Sequence, residues 1–198
     1  MQRDASESGV ILASSSPYRK LLLERLKIPF TCQSPAIDEK ALPGESAIEL
    51  VTRLAREKAL AVAAGYNSGL IIGSDQVATL DEQILVKPQS HERAVAQLTQ
   101  VSAQEVIFHT GLCVCNARNQ SMHCDSVPFS VTFRPLSVEV IERYLAKERP
   151  YDCAGSFKIE GLGISLLEKT AGDDVTALIG LPLIRLSAML RDEGLVLP

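Results

Sequence analysis

The residues Val10-Ile11-Leu12-Ala13-Ser14-Ser15-Ser16-Pro17 set the fold class that the sequence predicts. The first four form a short apolar run, which is typical of a strand buried on both faces. The serines and the proline then favour a turn into a helix, with Ser16 as N-cap and Pro17 in the first helical position. A strand that turns into a helix is the unit of an α/β fold, and such a turn can bind an anion through free N–H groups and hydroxyls. An ordinary capped helix would explain the same residues.

Helices and strands are predicted to alternate along the rest of the chain, around a hairpin-rich centre. A capping box at Ser46-x-x-Glu49 predicts a helix to about residue 64, and the run over 69–77 predicts a central strand that carries Asp75. Further strands are expected over 30–33, 105–116, 122–134 and 164–167, with helices over 19–26, 91–98, 137–147 and 182–190. We therefore expect a single α/β domain over 1–198, with a mixed sheet and a cleft.

The composition excludes several classes of protein. The chain has 198 residues, of which 46% are hydrophobic, and a formal net charge of −4. Dominant disorder is excluded, and the acidic balance argues against a protein that binds nucleic acid by neutralising phosphates along a groove. Residues 1–8 carry no signal-peptide core, and no stretch approaches the roughly 18 apolar residues of a membrane span. We expect a soluble, cytoplasmic protein that binds neither nucleic acid nor a membrane.

Five cysteines lie along the chain without the spacing of a zinc ribbon. They are Cys32, Cys113, Cys115, Cys124 and Cys153. Cys113 and Cys115 alternate within a predicted strand and would lie on one face of it. We expect all five to be reduced, buried, structural thiols.

Polar residues at the ends of the predicted elements are the candidates for chemistry. No Walker loop or serine-hydrolase elbow is present, and His91, His109 and His123 stand apart from any nucleophile signature. In an open α/β sheet, ligands bind at strand ends, where cations hold phosphates and carboxylates hold a divalent ion or activate water. The candidates are Ser14, Ser15, Arg19, Glu39, Lys58, Asp75, Lys87, Lys158 and Glu160. Taken singly, each is also explained as a solvated loop or helix residue.

An ordered series of motifs across nearly the whole chain resembles the Maf family of nucleotide pyrophosphatases. The motifs are Leu12-Ala13-Ser14-Ser15-Ser16-Pro17-Tyr18-Arg19, Ile37-Asp38-Glu39, Arg56-Glu57-Lys58-Ala59, Gly73-Ser74-Asp75-Gln76-Val77, Lys87-Pro88, Ala154-Gly155-Ser156-Phe157-Lys158-Ile159-Glu160-Gly161 and Gly180-Leu181-Pro182-Leu183. The resemblance implies a strongly twisted mixed sheet with helices on both sides. It also implies two lobes around a substrate groove, as in inosine triphosphate pyrophosphatases. The implied reaction hydrolyses a nucleoside triphosphate to the monophosphate and pyrophosphate with Mg²⁺ or Mn²⁺.

Three positions separate substrate classes within that family, and here they are Tyr18, Gln76 and Glu160. The branch that acts on dTTP and UTP generally carries Arg, Thr and Gln there. This sequence is similar to the branch that hydrolyses N7-methyl-GTP, although that branch often has tryptophan where Tyr18 stands. Methylation at N7 makes guanine cationic, and a cation over an aromatic ring gains about 0.5–2 kcal/mol. A carboxylate such as Glu160 would accept hydrogen bonds from the guanine edge.

The expected roles follow from these residues and from the resemblance. Asp75 is predicted to be catalytic and, with Glu39, to hold the divalent ion. The phosphate-binding residues are predicted to be Ser14, Ser15, Arg19, Lys58, Lys87 and Lys158. Two alternatives stay open: a pyrophosphatase for dTTP, UTP or another modified nucleotide, and a non-catalytic regulator of cell division. The oligomeric state is also open, with a homodimer as one option.

Overall fold

The computed structural model describes residues 9–198, and over these residues the chain forms a seven-stranded mixed sheet. Its strands are β1 (Val10–Leu12), β2 (Phe30–Cys32), β3 (Leu70–Leu80), β4 (Gln83–Leu85), β5 (Glu105–Asn116), β6 (Met122–Phe133) and β7 (Leu167–Ala171). The order is β2-β1-β3-β5-β6-β7, and β4 pairs with β3. β1 is parallel to β2 and β3, whereas the other pairs are antiparallel. The predicted mixed α/β sheet is confirmed.

Six α-helices accompany the sheet over the same residues. They are α1 (Pro17–Leu23), α2 (Ala47–Ala63), α3 (His91–Gln100), α4 (Val138–Glu148), α5 (Val175–Ile179) and α6 (Leu183–Asp192). The caps predicted at Ser16 and Ser46 are confirmed, since each accepts a hydrogen bond from a backbone N–H in the first turn, and Ser90 caps α3 in the same way. Ser137, at the start of the helix predicted over 137–147, occupies the N-cap position of α4 without a capping hydrogen bond to its side chain. None of these helices is long and apolar enough to cross a membrane.

Both faces of the central strands are covered, which explains their continuous apolar runs. On one face, Ile11 and Ile71 pack with residues of α2. On the other face, Leu12, Ile72 and Leu112 pack with residues of α1 and α6. A third core, which includes Phe108 and Phe133, lies under α3 and α4 and forms a second lobe. The helices therefore lie on both sides of the sheet, as predicted.

Two glycines let α2 lie unusually close to the sheet. A Cβ atom at Gly73 on β3 would overlap the carbonyl oxygen of Ala55, and one at Gly111 on β5 would overlap that of Val51. Only glycine permits such a close approach of helix backbone to strand backbone. The close packing sets the distance between α2 and the residue two positions after Gly73, which is Asp75.

Two element predictions near the C-terminus are wrong. The strand predicted over 164–167 is a 3₁₀ turn over Leu162–Leu166, and β7 begins only at Leu167. A Cβ atom at Gly163 would overlap the carbonyl of Lys158, so the chain folds back tightly here instead of extending. Helix α5, which Asp174 caps, was not predicted because it is only five residues long.

The expectation of five reduced, buried thiols is also wrong. Cys113 and Cys124 form a disulfide, Cys32 is exposed, and Cys153 is partly exposed, whereas Cys115 is free and buried. The pairing of β5 with β6 places Cys113 directly opposite Cys124. The prediction treated the cysteines strand by strand and ignored this cross-strand register, which the turn between the strands sets.

Candidate active site

A gap beside β3 opens the sheet into a groove. β1 pairs with β3 only over residues 70–72, and β4 pairs only over 78–80. Among the described residues, 73–77 therefore have no strand partner on this edge, although the other edge pairs continuously with β5. The groove has a volume of about 850 Å³ and is lined by residues of both lobes, including Asp75 and Gln76. Because the strand is open at its edge, side chains from both of its faces reach the same groove.

Lys58 and two carboxylates form a charged cluster in the groove, in which Lys58 and Asp75 are buried. Lys58 lies on the stripe of α2 that also carries Leu54 and Val62, as the four-residue spacing predicted, and it is only 4% exposed. Its Nζ lies 2.6 Å from Oδ1 of Asp75 and 2.7 Å from Oε1 of Glu39. A buried ammonium group needs such partners, because it has lost its water. The two ion pairs also hold both carboxylates against the same atom, Lys58 Nζ.

Two further cations act on the same carboxylates. Burial alone would raise the pKa of Glu39, but the hydrogen bond and charge of Lys58, with the charges of Lys87 and Arg19, hold that pKa below its usual value. Burial lowers the pKa of the Arg19 guanidinium, and the charges of Asp75 and Glu39 oppose this effect. Lys87 itself is exposed on the other wall of the groove. All three cations therefore interact with Glu39, and Lys58 and Arg19 also interact with Asp75.

A backbone carbonyl at the end of α5 holds the Arg19 side chain in place. Arg19 Nε donates to the carbonyl oxygen of Gly180 at 2.8 Å, and Ser74 Oγ donates to the same oxygen at 2.9 Å. Gly180 has a φ of +114°, which favours glycine and turns this carbonyl back toward the sheet. The guanidinium is thus held by a backbone group more than 160 residues away in the chain.

Carbonyl groups of α5 hold Gln76 in a single orientation. Its Nε2 donates to the carbonyl oxygens of Ala177 at 2.7 Å and Leu178 at 3.1 Å. It also lies 3.0 Å from Oγ1 of Thr110. Two carbonyl acceptors require the amide nitrogen on that side, so the assignment of nitrogen and oxygen is fixed. Within residues 9–198, the Gln76 oxygen accepts no hydrogen bond, and it is left available to a ligand.

The serine turn predicted at the start of α1 forms part of the groove wall. Ser14 is buried, and its Oγ accepts a hydrogen bond from the Ser16 N–H at 3.1 Å. Ser16 Oγ in turn lies 3.4 Å from the Arg19 nitrogen that it caps. Ser15 is exposed and lines the groove. The hydroxyls of Ser14 and Ser16 thus form hydrogen bonds within the turn, while Ser15 is exposed in the groove.

Tyr18 and Glu160 both line the groove, and Lys158 lies beside the Tyr18 ring. Lys158 Nζ is 5.5 Å from the centre of the Tyr18 ring and 3.8 Å from Oε2 of Glu148. Lys158 does not line the groove, whereas Tyr18 and Glu160 do. Desolvation raises the pKa of the Glu160 carboxyl, with Lys158 opposing this and Glu148 adding to it. The Tyr18 ring therefore already has a cation over it.

The groove brings together nearly all of the residues that the sequence singled out. The predicted residues that line it are Ser14, Ser15, Tyr18, Arg19, Glu39, Lys58, Asp75, Gln76, Lys87 and Glu160. Lys158 is the exception. Sequence reasoning missed the contribution of α5, although the motif over 180–183 was recognised without a role. It also missed Arg93 and Asp152, which line the groove and lie in segments without a distinctive pattern.

The carboxylates fit a divalent ion that is shared with a phosphorylated ligand. Among residues 9–198, no three His, Cys, Asp or Glu side chains converge into a metal cage. Glu39 and Asp75 supply two hard oxygen ligands on either side of Lys58. Mg²⁺ is commonly held by one or two carboxylates together with water and substrate phosphates. The donor set fits that arrangement.

Comparison with known proteins identifies the family. The family described as Maf-like protein matches residues 9–193, and the chain belongs to this family. The chain is 58% identical over 190 residues to the 7-methyl-GTP pyrophosphatase of Pseudomonas syringae pv. syringae (strain B728a), with 96% of this chain and 99% of that protein covered. It is 53% identical over 191 residues to the protein of the same name from Aromatoleum aromaticum, with 96% and 98% covered.

A solved structure also aligns with part of the chain. It is a nucleoside-triphosphatase, a dITP/XTP pyrophosphatase from Mycobacterium abscessus, at 14% identity and a TM-score of 0.44. The alignment covers 65% of this chain and 75% of that one.

Proposed function

We propose that this protein hydrolyses N7-methyl-GTP to N7-methyl-GMP and pyrophosphate, and thereby removes a modified nucleotide from the cytoplasmic pool. The observation that carries the proposal is the cluster of Asp75, Glu39 and Lys58 in a groove that also holds Arg19 and Lys87. Carboxylates can activate water and bind a cation, while the basic side chains suit a triphosphate. Relatives that are 53–58% identical over nearly their whole length carry the name 7-methyl-GTP pyrophosphatase.

The reaction needs water to attack the α-phosphorus. The new bond joins the water oxygen to that phosphorus, and the bond from the α-phosphorus to the bridging oxygen breaks, so that pyrophosphate leaves. Asp75 takes the proton from the attacking water, and Lys58 holds its carboxylate at 2.6 Å. Arg19, Lys58 and Lys87 stabilise the negative charge that develops on the leaving group.

A divalent cation, Mg²⁺ or Mn²⁺, is part of the proposal, and Glu39 and Asp75 would hold it. When bound, it would offset the negative charge of the phosphate oxygens. Lys58 Nζ contacts only one oxygen of each carboxylate, Oδ1 of Asp75 and Oε1 of Glu39, so the second oxygen of each would be left for the ion.

Base selection is assigned to Tyr18, Gln76 and Glu160, which all line the groove. Tyr18 offers the cationic methylated base the face of its ring opposite Lys158, and Glu160 accepts hydrogen bonds from the guanine edge. The Gln76 oxygen is free to accept from the base because α5 holds the nitrogen of the same amide. These roles rest on side chains that line the groove.

The test is the release of pyrophosphate from a nucleotide panel. N7-methyl-GTP, GTP, dTTP and UTP are each incubated with the protein in Mg²⁺ or Mn²⁺, and both products are identified. We expect N7-methyl-GTP to have the highest kcat/KM and to give the monophosphate with pyrophosphate. A higher kcat/KM for dTTP or UTP would contradict the assignment of N7-methyl-GTP as the substrate. Release of orthophosphate would contradict the proposed cleavage at the α-phosphorus. No turnover of any nucleotide would favour a binding protein.

A further inference from the structure

The loop that carries Glu39 is built without regular secondary structure. It runs from the end of β2 to the start of α2, and Glu39 is exposed along most of its side chain. Nevertheless its carboxylate reaches Lys58 at 2.7 Å. A free loop of this length would lose substantial conformational entropy in holding one side chain at one point. Something else must hold the loop in place.

Arg53, on α2, makes three hydrogen bonds to this loop. Its Nε lies 2.6 Å and its Nη2 2.9 Å from the two carboxylate oxygens of Glu45. Nη2 also donates to the carbonyl oxygen of Lys40 at 3.0 Å, next in sequence to Glu39. Glu45 Oε2 additionally accepts from the Leu42 N–H at 2.9 Å. The guanidinium thus binds the loop at both its side-chain and its backbone level.

The fourth contact of Arg53 does not involve the loop. Nη1 lies 3.1 Å from Oε2 of Glu57, one turn further along the same helix. Pairs of this kind at i and i+4 are exposed and contribute little to stability. Glu57 therefore provides a way to separate a general effect on Arg53 from an effect on the loop.

We propose that Arg53 is a positioning residue that holds the loop so that Glu39 reaches the Lys58–Asp75 cluster. The inference rests on the proposed function, in which Glu39 helps to hold the divalent ion. Arginine suits the task because its planar fork matches the Glu45 carboxylate with two bonds and still has a donor for the Lys40 carbonyl. Lysine would keep the charge but could not make this set of bonds.

The test is a double-mutant cycle on N7-methyl-GTP hydrolysis. We expect Arg53→Met to lower kcat/KM by about tenfold to a hundredfold, as a displaced active-site group does. Glu39→Gln should cause a loss of at least the same size, and the double variant should be no worse than Glu39→Gln alone. Arg53→Lys should recover part of the activity. Additive losses in the double variant would overturn the inference, because Arg53 would then act independently of Glu39.

Two controls and one direct measurement complete the experiment. Glu57→Gln and Arg143→Met, which changes an exposed arginine on α4, should both retain wild-type activity. A loss in Glu57→Gln equal to that in Arg53→Met would contradict the role of the loop contacts. Hydrogen exchange over 38–45 should rise in Arg53→Met and not in Glu57→Gln. If the wild type hydrolyses no nucleotide, the proposed function fails, while unchanged exchange in Arg53→Met would separately show that Arg53 does not hold the loop.

Discussion

Asp75 is the side chain on which the proposed chemistry depends most. It is 7% exposed and bound to Lys58, which also keeps a second partner in Glu39. We expect Asp75→Asn to lower kcat on N7-methyl-GTP by roughly 10²–10⁴-fold, since the amide cannot take a proton and is a poor ligand for a hard cation. Thermal unfolding should show a folded protein. Asp173→Asn, a change at an exposed position, serves as the control, and near-normal activity in Asp75→Asn would remove Asp75 from the mechanism.

Tyr18 and Glu160 are expected to govern the choice of base and not the rate of bond cleavage. Tyr18→Ala should reduce discrimination between N7-methyl-GTP and GTP, because only the methylated ring is cationic. Glu160→Gln should lower kcat/KM for N7-methyl-GTP about ten- to a hundredfold, the loss of a hydrogen bond to a charged group, and should affect UTP less. Specificity constants for N7-methyl-GTP, GTP, dTTP and UTP are measured in one metal. Uniform losses on all four nucleotides would contradict base recognition.

Individual side chains were predictable where they interrupted a regular apolar spacing or stood at the end of an apolar run. Lys58 stood out because leucine and valine recur every four residues around it, and Asp75 because it interrupts an apolar strand. The partners of Arg19 and Gln76 were not predictable. They are backbone carbonyls of residues 177–180, and a carbonyl is available at every position, so such a contact leaves no mark in the sequence.

The packing of α2 against β3 is the element contact that sets the active site. We expect Gly73→Ala to destabilise the protein by at least about 1–3 kcal/mol, because its Cβ would overlap the Ala55 carbonyl and force α2 outward. The same displacement would separate Lys58 from Asp75, so kcat/KM should fall as well. Chemical unfolding and steady-state kinetics measure the two effects. Gly65→Ala, where the added Cβ has ordinary contacts, should be nearly neutral, and equal stability of both variants would contradict the packing argument.

Long, strongly patterned elements were predicted correctly, whereas two short elements near the C-terminus were not. The capping box and the four-residue period identified α2, and the apolar run identified β3. The prediction of a strand over 164–167 was wrong because a run of four mostly apolar residues can form either a turn or a strand. The disulfide was missed because it depends on register between two strands, which is a property of the pair and not of either segment.

Across residues 9–198, the carboxyl groups whose pKa departs from its usual value fall into two groups. Several are stabilised as anions by the fold: hydrogen bonds from Ser121 and Asn116 lower the pKa of Glu193, and Arg53 lowers the pKa of Glu45 to about 2. Glu160, which lines the groove and is assigned to base recognition, has a raised pKa because of desolvation. The fold thus stabilises the charge of Glu45 and Glu193, which hold structural elements together, and of Glu39 in the groove. It disfavours the charge of Glu160, where the proposed ligand would supply hydrogen-bond donors.

The first group predicts how the stability of the molecule depends on pH. A carboxyl whose folded pKa lies below its usual value of 4.5 contributes stability that is present above that pH and is lost as the pH falls toward the folded value. We therefore expect the free energy of unfolding to fall between pH 4.5 and about 2, the window that Glu45 sets. Glu45→Gln should flatten this dependence, because it removes a carboxyl that is protonated only on unfolding. Glu82→Gln, at an exposed turn, should leave the slope unchanged, and denaturant titrations at a series of pH values compare the three proteins. Equal slopes in Glu45→Gln and the wild type would mean that the Arg53–Glu45 pair does not contribute to acid stability.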